Sequence, residues 1–171
     1  MDKSIPERIE AAQNGTNPTV VCRVPSGWVV LCDTQFLRGY CILLADPVVP
    51  SLNDLDREKR VEFLSDMAIV GDALLEVTGA YRINYAIAGN TDPYLHAHIV
   101  PRYLSEPEHL RKGLPWSHPK EERDSMLFNL ERDQALMQQL RQAIETVLVS
   151  GLSLLDELRK TSVISHIRLL T

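Results

Sequence analysis

The chain has no apolar run approaching the ~18 residues that a membrane span requires. Its start, Met1-Asp2-Lys3-Ser4-Ile5-Pro6-Glu7, lacks the apolar stretch of a signal peptide. Cysteine is scarce. Cys22, Cys32 and Cys41 are odd in number, form no paired motif and lie in apolar strand-like runs. Buried free thiols in a reducing cytoplasm are therefore expected. Without a secretory route, the acceptor triplet Asn14-Gly15-Thr16 carries no meaning. Basic residues are outnumbered, 18 Lys and Arg against 23 Asp and Glu, for a formal net charge of −5. That excludes a protein whose main task is gripping a nucleic acid backbone, which needs clustered Lys and Arg. It does not exclude a nucleotide, because a few local donors can hold one phosphate group. No repeat, low-complexity tract or long linker divides the 171 residues. A single domain spanning 1–171 is expected, long enough to bury a sizeable core.

What is present is patterned. Residues 4–13 read as a short amphipathic helix stopped by Asn14-Gly15. Residues 19–24, 28–32 and 40–45 read as strands, with Pro25-Ser26-Gly27 as a turn and 33–39 as a connection. Residues 56–78 read as a helix capped by Asp54 or Asp56 and ended by Gly79. Its inward face is predicted from Leu64, Ala68, Gly71, Leu74 and Leu75, with Glu62, Asp66 and Asp72 elsewhere. Residues 81–88 and 95–101 complete the strands, separated by the tight loop 89–93. Residues 103–122 show no clear period. Residues 130–149 form a second long helix, and a further amphipathic segment with Leu154, Leu155 and Leu158 follows Gly151. This order predicts α+β with a five-stranded antiparallel sheet and two main helices, an N-terminal helix and a C-terminal helical extension. The core spans about residues 19–103 and the extension about 128–171.

The chemistry concentrates in Tyr94-Leu95-His96-Ala97-His98-Ile99-Val100-Pro101-Arg102. In a strand, alternate side chains share a face. His96 and His98 therefore point the same way, roughly 7 Å apart at Cα, while Leu95, Ala97 and Ile99 point into the core. Three readings compete. The plainest makes both histidines structural, at a desolvation cost without return unless their face lines a cleft. In the second they share a metal, which needs a third ligand. His109, His118 and His166 offer no recognisable ligand spacing, and Asp92 or Glu106 are unsupported as ligands. In the third, a neutral imidazole attacks phosphorus and forms a phosphoramidate. The second imidazole then hydrogen-bonds a phosphoryl oxygen or protonates the leaving group. The loop Gly89-Asn90-Thr91-Asp92, at the mouth of the same strand, offers phosphate donors. Trp28 reads as core, and Trp116 lies in a segment able to fold over the cleft.

The motif resembles the signature of the histidine-triad superfamily, His-φ-His-φ-His-φ-φ, with Tyr94 in the first histidine place. Pro101-Arg102 is similar to the superfamily's dinucleoside polyphosphate hydrolase branch. Upstream, Asp33, a short connection and Gly39-Tyr40-Cys41-Ile42-Leu43 resemble the family's Asp-loop-Gly-His-strand segment, with Tyr40 in the histidine place. The resemblance covers about residues 20–103 and leaves the final third uncovered. It implies a homodimer with a joined sheet and hydrolysis or transfer at the α-phosphate of a nucleotide. It implies His96 as the nucleophile and His98 as its assistant. It also implies substrate contacts from Asn90, Thr91, Asp33, Tyr94 and Tyr40. No tightly bound cofactor is expected, only magnesium accompanying the substrate phosphates. Two alternatives stay open: a nucleotide-binding regulator with little turnover, and a metal-dependent hydrolase using His96 and His98 as ligands.

Overall fold

The computed structural model describes residues 3–168, with side-chain surroundings for residues 3–150. Helix α1 (Ile5–Gln13) opens on a capping box, in which the Glu7 carboxylate accepts from the Ser4 N–H and hydroxyl, each at 2.8 Å. Strands β1 (Val20–Val24), β2 (Gly27–Leu31) and β3 (Cys41–Ala45) follow. Then come helix α2 (Arg57–Thr78), strand β4 (Arg82–Ala86) and strand β5 (His96–Arg102). The five strands form one antiparallel sheet in the order β1-β2-β3-β5-β4. The α+β architecture expected from the sequence is therefore the one observed.

Helix α2 starts at Asp56, whose side chain accepts from the Lys59 N–H at 2.8 Å, and ends at Gly79 in the left-handed conformation. It packs on one sheet face together with the N-terminal half of α5 (Leu130–Arg168). Between them lies the main core, including Leu43, Ala97, Ile99, Phe63, Leu74, Leu140 and Ile144, all fully buried. Each leucine, isoleucine or phenylalanine among them contributes about 1.5–3 kcal/mol. Helix α1 covers part of the opposite face, where Ile5 and Ile9 pack on Val30 and Leu44.

Three sequence expectations need correction. The buried residues of α2 are Phe63, Asp66, Val70, Gly71, Ala73 and Leu74, so Gly71 and Leu74 of the expected inward face are buried, whereas Leu64, Ala68 and Leu75 are exposed. The helix is apolar on more than one side, so periodicity alone misplaced its inward face. Asp66 turns inward because it accepts from the Ser26 N–H at 2.8 Å and hydroxyl at 2.6 Å. Gly71 admits the Tyr85 ring, since a Cβ there would stand 1.9 Å from the Tyr85 hydroxyl oxygen. Second, α5 runs unbroken through Gly151, for one helical glycine costs only about 1 kcal/mol. Leu154, Leu155, Leu158 and His166 lie outside the residues whose side chains are described. Third, the aperiodic stretch after β5 holds two single-turn helices, α3 (Glu108–Arg111) and α4 (Lys120–Arg123), with a 3-10 turn at Pro115–Ser117 between them.

Candidate active site

Pairing with β3 sets His96 opposite Leu44 and His98 opposite Ile42. Period-2 alternation sends Leu95, Ala97 and Ile99 into the core and both imidazoles to the other face. The two rings meet edge to face, with centroids 4.9 Å apart. His96 Nδ1 lies 2.7 Å from the main-chain oxygen of Tyr94. A carbonyl only accepts, so Nδ1 carries the ring proton and Nε2 keeps its lone pair.

His98 Nδ1 lies 2.7 Å from the Tyr40 hydroxyl. Burial, and then the neighbouring His96, push the His98 imidazole down to about 4, so it is neutral at pH 7. Tyr40 is itself buried. Burial, aided by Cys32, holds its hydroxyl well above the usual range, so it keeps its proton, while polar contact with Trp116 works the other way.

A cleft of about 420 Å³ opens between the loop Gly89–Asp92, His96, His98 and Trp116. Asn90 and Thr91 are exposed at its rim. Asp92 ties the loop to α1, its Oδ2 accepting from the Ile5 N–H at 2.9 Å. Its Oδ1 is buried without a hydrogen-bond partner among the described residues. The Trp116 indole rests edge to face on His98, with centroids 5.5 Å apart.

A buried ionic network delivers Trp116 to this position. Arg102, at the end of β5, is 1% exposed. Its guanidinium donates to Glu106, to Asn84 Oδ1 at 2.7 Å, and to the carbonyls of Gly113 and Leu110 at 2.8 and 2.7 Å. Glu106 also accepts from the Tyr103 N–H at 2.6 Å and meets His118 Nε2 at 3.0 Å. Burial pushes the Glu106 carboxyl up, but hydrogen bonds from Arg102, Tyr103 and His118 outweigh it and leave it below its usual range. His118 reaches on to Glu122 at 3.1 Å. Residues 103–118 thus hang on one guanidinium and end over His98.

Of the residues singled out from sequence, the fold gathers His96, His98, Asn90, Thr91 and Trp116 around one cleft. Tyr40 stands behind His98. The Tyr94 ring packs with Ile5, Ile9, Val30 and Leu44 beside α1. The two tyrosines do not face one another as a pair, since Tyr40 packs instead with Leu37 and Val100. Asp33 is held by α1, with both carboxylate oxygens bound by Arg8, one at 2.9 Å. Trp28 is half-buried beside α1 and donates to Asp46 at 3.0 Å. Cys22 and Cys41 are buried and Cys32 half-buried, all as free thiols. No group of three His, Cys, Asp or Glu side chains among the described residues is placed to hold a metal ion. No helix among them is long and apolar enough to cross a membrane. A larger cavity, about 690 Å³, opens by Phe36, Arg38, Tyr103 and Arg132 and includes neither His96 nor His98.

No protein-family model and no curated protein matches the chain. Solved structures do. A histidine triad protein from Marinobacter aquaeolei VT8 aligns with a TM-score of 0.63 at 20% identity, over 74% of this chain and 88% of that one. A hypothetical histidine triad nucleotide-binding protein from Sulfolobus tokodaii strain7 also gives 0.63, at 14% identity over 82% and 93%. A zinc-bound histidine triad family protein from Mycobacterium smegmatis gives 0.56, at 19% identity over 82% and 94%. The chain therefore has the histidine-triad fold.

Proposed function

We propose that this protein is a nucleotide hydrolase or transferase of the histidine-triad superfamily, close to its dinucleoside polyphosphate hydrolases. It acts at the α-phosphate of a dinucleoside polyphosphate or nucleotide conjugate. The observation that carries this reading is the Tyr94 carbonyl on His96 Nδ1, which leaves the Nε2 lone pair for attack. In the first step the Nε2–P bond forms and the bond from phosphorus to the leaving group breaks. Water then attacks phosphorus, the P–N bond breaks, and a nucleoside monophosphate leaves. His98 assists at a phosphoryl oxygen or at the leaving group. Asn90 and Thr91 contact the phosphates and Asp33 the ribose, with Arg8 yielding part of its hold. The protein holds no cofactor of its own, and magnesium accompanies the substrate phosphates.

The working unit in this reading is a homodimer with a joined sheet. Strand β4 pairs with β5 on one side and has no strand partner on the other among the described residues, which leaves an open sheet edge. Beside it lies an apolar surface made by Tyr85, seated on Gly71, and the exposed α2 residues Leu64, Ala68 and Leu75.

The test is incubation with a dinucleoside polyphosphate. Nucleoside monophosphate is expected from the native protein and not from His96→Asn, which still binds the substrate. Undiminished turnover by His96→Asn contradicts the proposal.

A further inference from the structure

We infer that Tyr40 is a positioning residue that makes His98 a fixed hydrogen-bond donor: the Tyr40 hydroxyl donates to Nδ1, and the ring proton sits on Nε2, toward the cleft. This rests on the reading of His96 as nucleophile and assigns His98 one of its two candidate roles.

The direction of the bond follows from what surrounds the hydroxyl. A tyrosine hydroxyl donates once. Among the described residues the buried Tyr40 hydroxyl makes one hydrogen bond of good geometry, to His98 Nδ1 at 2.7 Å. Were Nδ1 the donor, the hydroxyl proton would be buried with no acceptor, a costly arrangement, so the hydroxyl donates to His98. Among the described residues, the rings packed on His98 are His96 on its own strand, Tyr40 from the connection before β3, and Trp116 from the segment after β5. None of these is an anion, and the one carboxylate lining the same cleft, Asp92, is tied to the Ile5 N–H at 2.9 Å.

A chemical consequence follows. A neutral imidazole is a good hydrogen-bond donor and a very weak acid. His98 therefore keeps its Nε2 proton through the reaction and donates it as a hydrogen bond to a non-bridging phosphoryl oxygen, where negative charge builds. The leaving group departs with the bonding electron pair and receives no proton from His98. A phosphate or polyphosphate leaves readily as an anion. An amine or alkoxide does not, because it needs a proton at departure. Tyr40 thus biases the site towards phosphoric anhydrides over phosphoramidates and phosphoesters.

The direct test is 15N NMR of the histidine rings in the native full-length protein. The expected spectrum has His98 Nδ1 unprotonated and Nε2 protonated, and a changed tautomer signal in Tyr40→Phe. A proton on Nδ1 in the native protein, or a Tyr40→Phe spectrum identical to the native one, overturns the inference. The second arm compares a dinucleoside polyphosphate with a nucleoside phosphoramidate. The anhydride is expected to turn over about 100-fold faster, the lower end of what a general acid supplies. Tyr40→Phe is expected to lower kcat on the anhydride about tenfold with KM little changed, and Tyr40→His, which can also donate to Nδ1, to recover part of that loss. Equal rates on the two substrates overturn the assignment of His98 as donor only. The expected spectrum without turnover of any nucleotide contradicts the hydrolase reading and leaves the tautomer assignment standing.

Discussion

The ring of His96 is oriented by the backbone of Tyr94, not by its side chain: Nδ1 lies 2.7 Å from the Tyr94 carbonyl oxygen. Every residue has that carbonyl. A tyrosine in the first histidine place therefore leaves the tautomer of His96, the proposed nucleophile, intact, and the tyrosine ring packs beside α1. Tyr94→Phe is predicted to keep activity within about threefold, since surface-side polar changes shift little. Tyr94→Ala is predicted to lower stability by about 3 kcal/mol through the cavity it leaves, measured by urea denaturation. A large activity loss in Tyr94→Phe with unchanged stability contradicts this account.

His98 predicts a pH dependence of folding. Its folded value is about 4, against about 6.5 unfolded. The unfolded chain therefore binds a proton more readily, and stability falls as pH drops from about 6.5 to about 4. The contribution is at most about 3 kcal/mol. In His98→Gln that part of the decline should be missing, read as a flatter Tm against pH over the same window.

Arg102 is the strap for residues 103–118. Arg102→Ala leaves Glu106 buried without its principal cation, and is predicted to cost about 3–5 kcal/mol. Trp116 fluorescence should report release of the indole from His98 in any folded fraction. Arg102→Lys cannot reproduce the fork of contacts to Glu106, Asn84 and two carbonyls, and should recover less than half of the loss.

Placing a charge in the apolar stripe of α2 tests the dimer. Leu64→Glu combined with Leu75→Glu is predicted to convert the proposed dimer to monomer in sedimentation. Both side chains are 38% exposed, so their loss should cost the monomer fold little. A native protein that sediments as a monomer contradicts the joined-sheet proposal.

Much of this was legible in the sequence because it is local. Period-2 alternation in β5 separates His96 and His98 from Leu95, Ala97 and Ile99, and the fold keeps that separation. Asp56 and Gly79 mark the ends of α2 by cap chemistry that acts within a few residues. The rotation of α2 was not legible, because it depends on Ser26 drawing Asp66 inward and on Tyr85 filling the space above Gly71. Residues 103–118 resisted reading for a related reason. Their path follows buried carbonyls and carboxylates gathered by Arg102, which carry no hydrophobic period. Tyr40 and His98 are 58 positions apart. Their places in the motif order hint at proximity, and only the β3–β5 pairing brings the hydroxyl to the ring.

The most direct test of the central claim is chemical trapping. The native protein is mixed with a nucleotide substrate labelled at the α-phosphate, quenched within one turnover, and the acid-labile label located by peptide mapping. The account predicts label on His96, retained in His98→Gln at lower yield and absent from His96→Asn. Rapid turnover with no label on His96, or label at another residue, contradicts it.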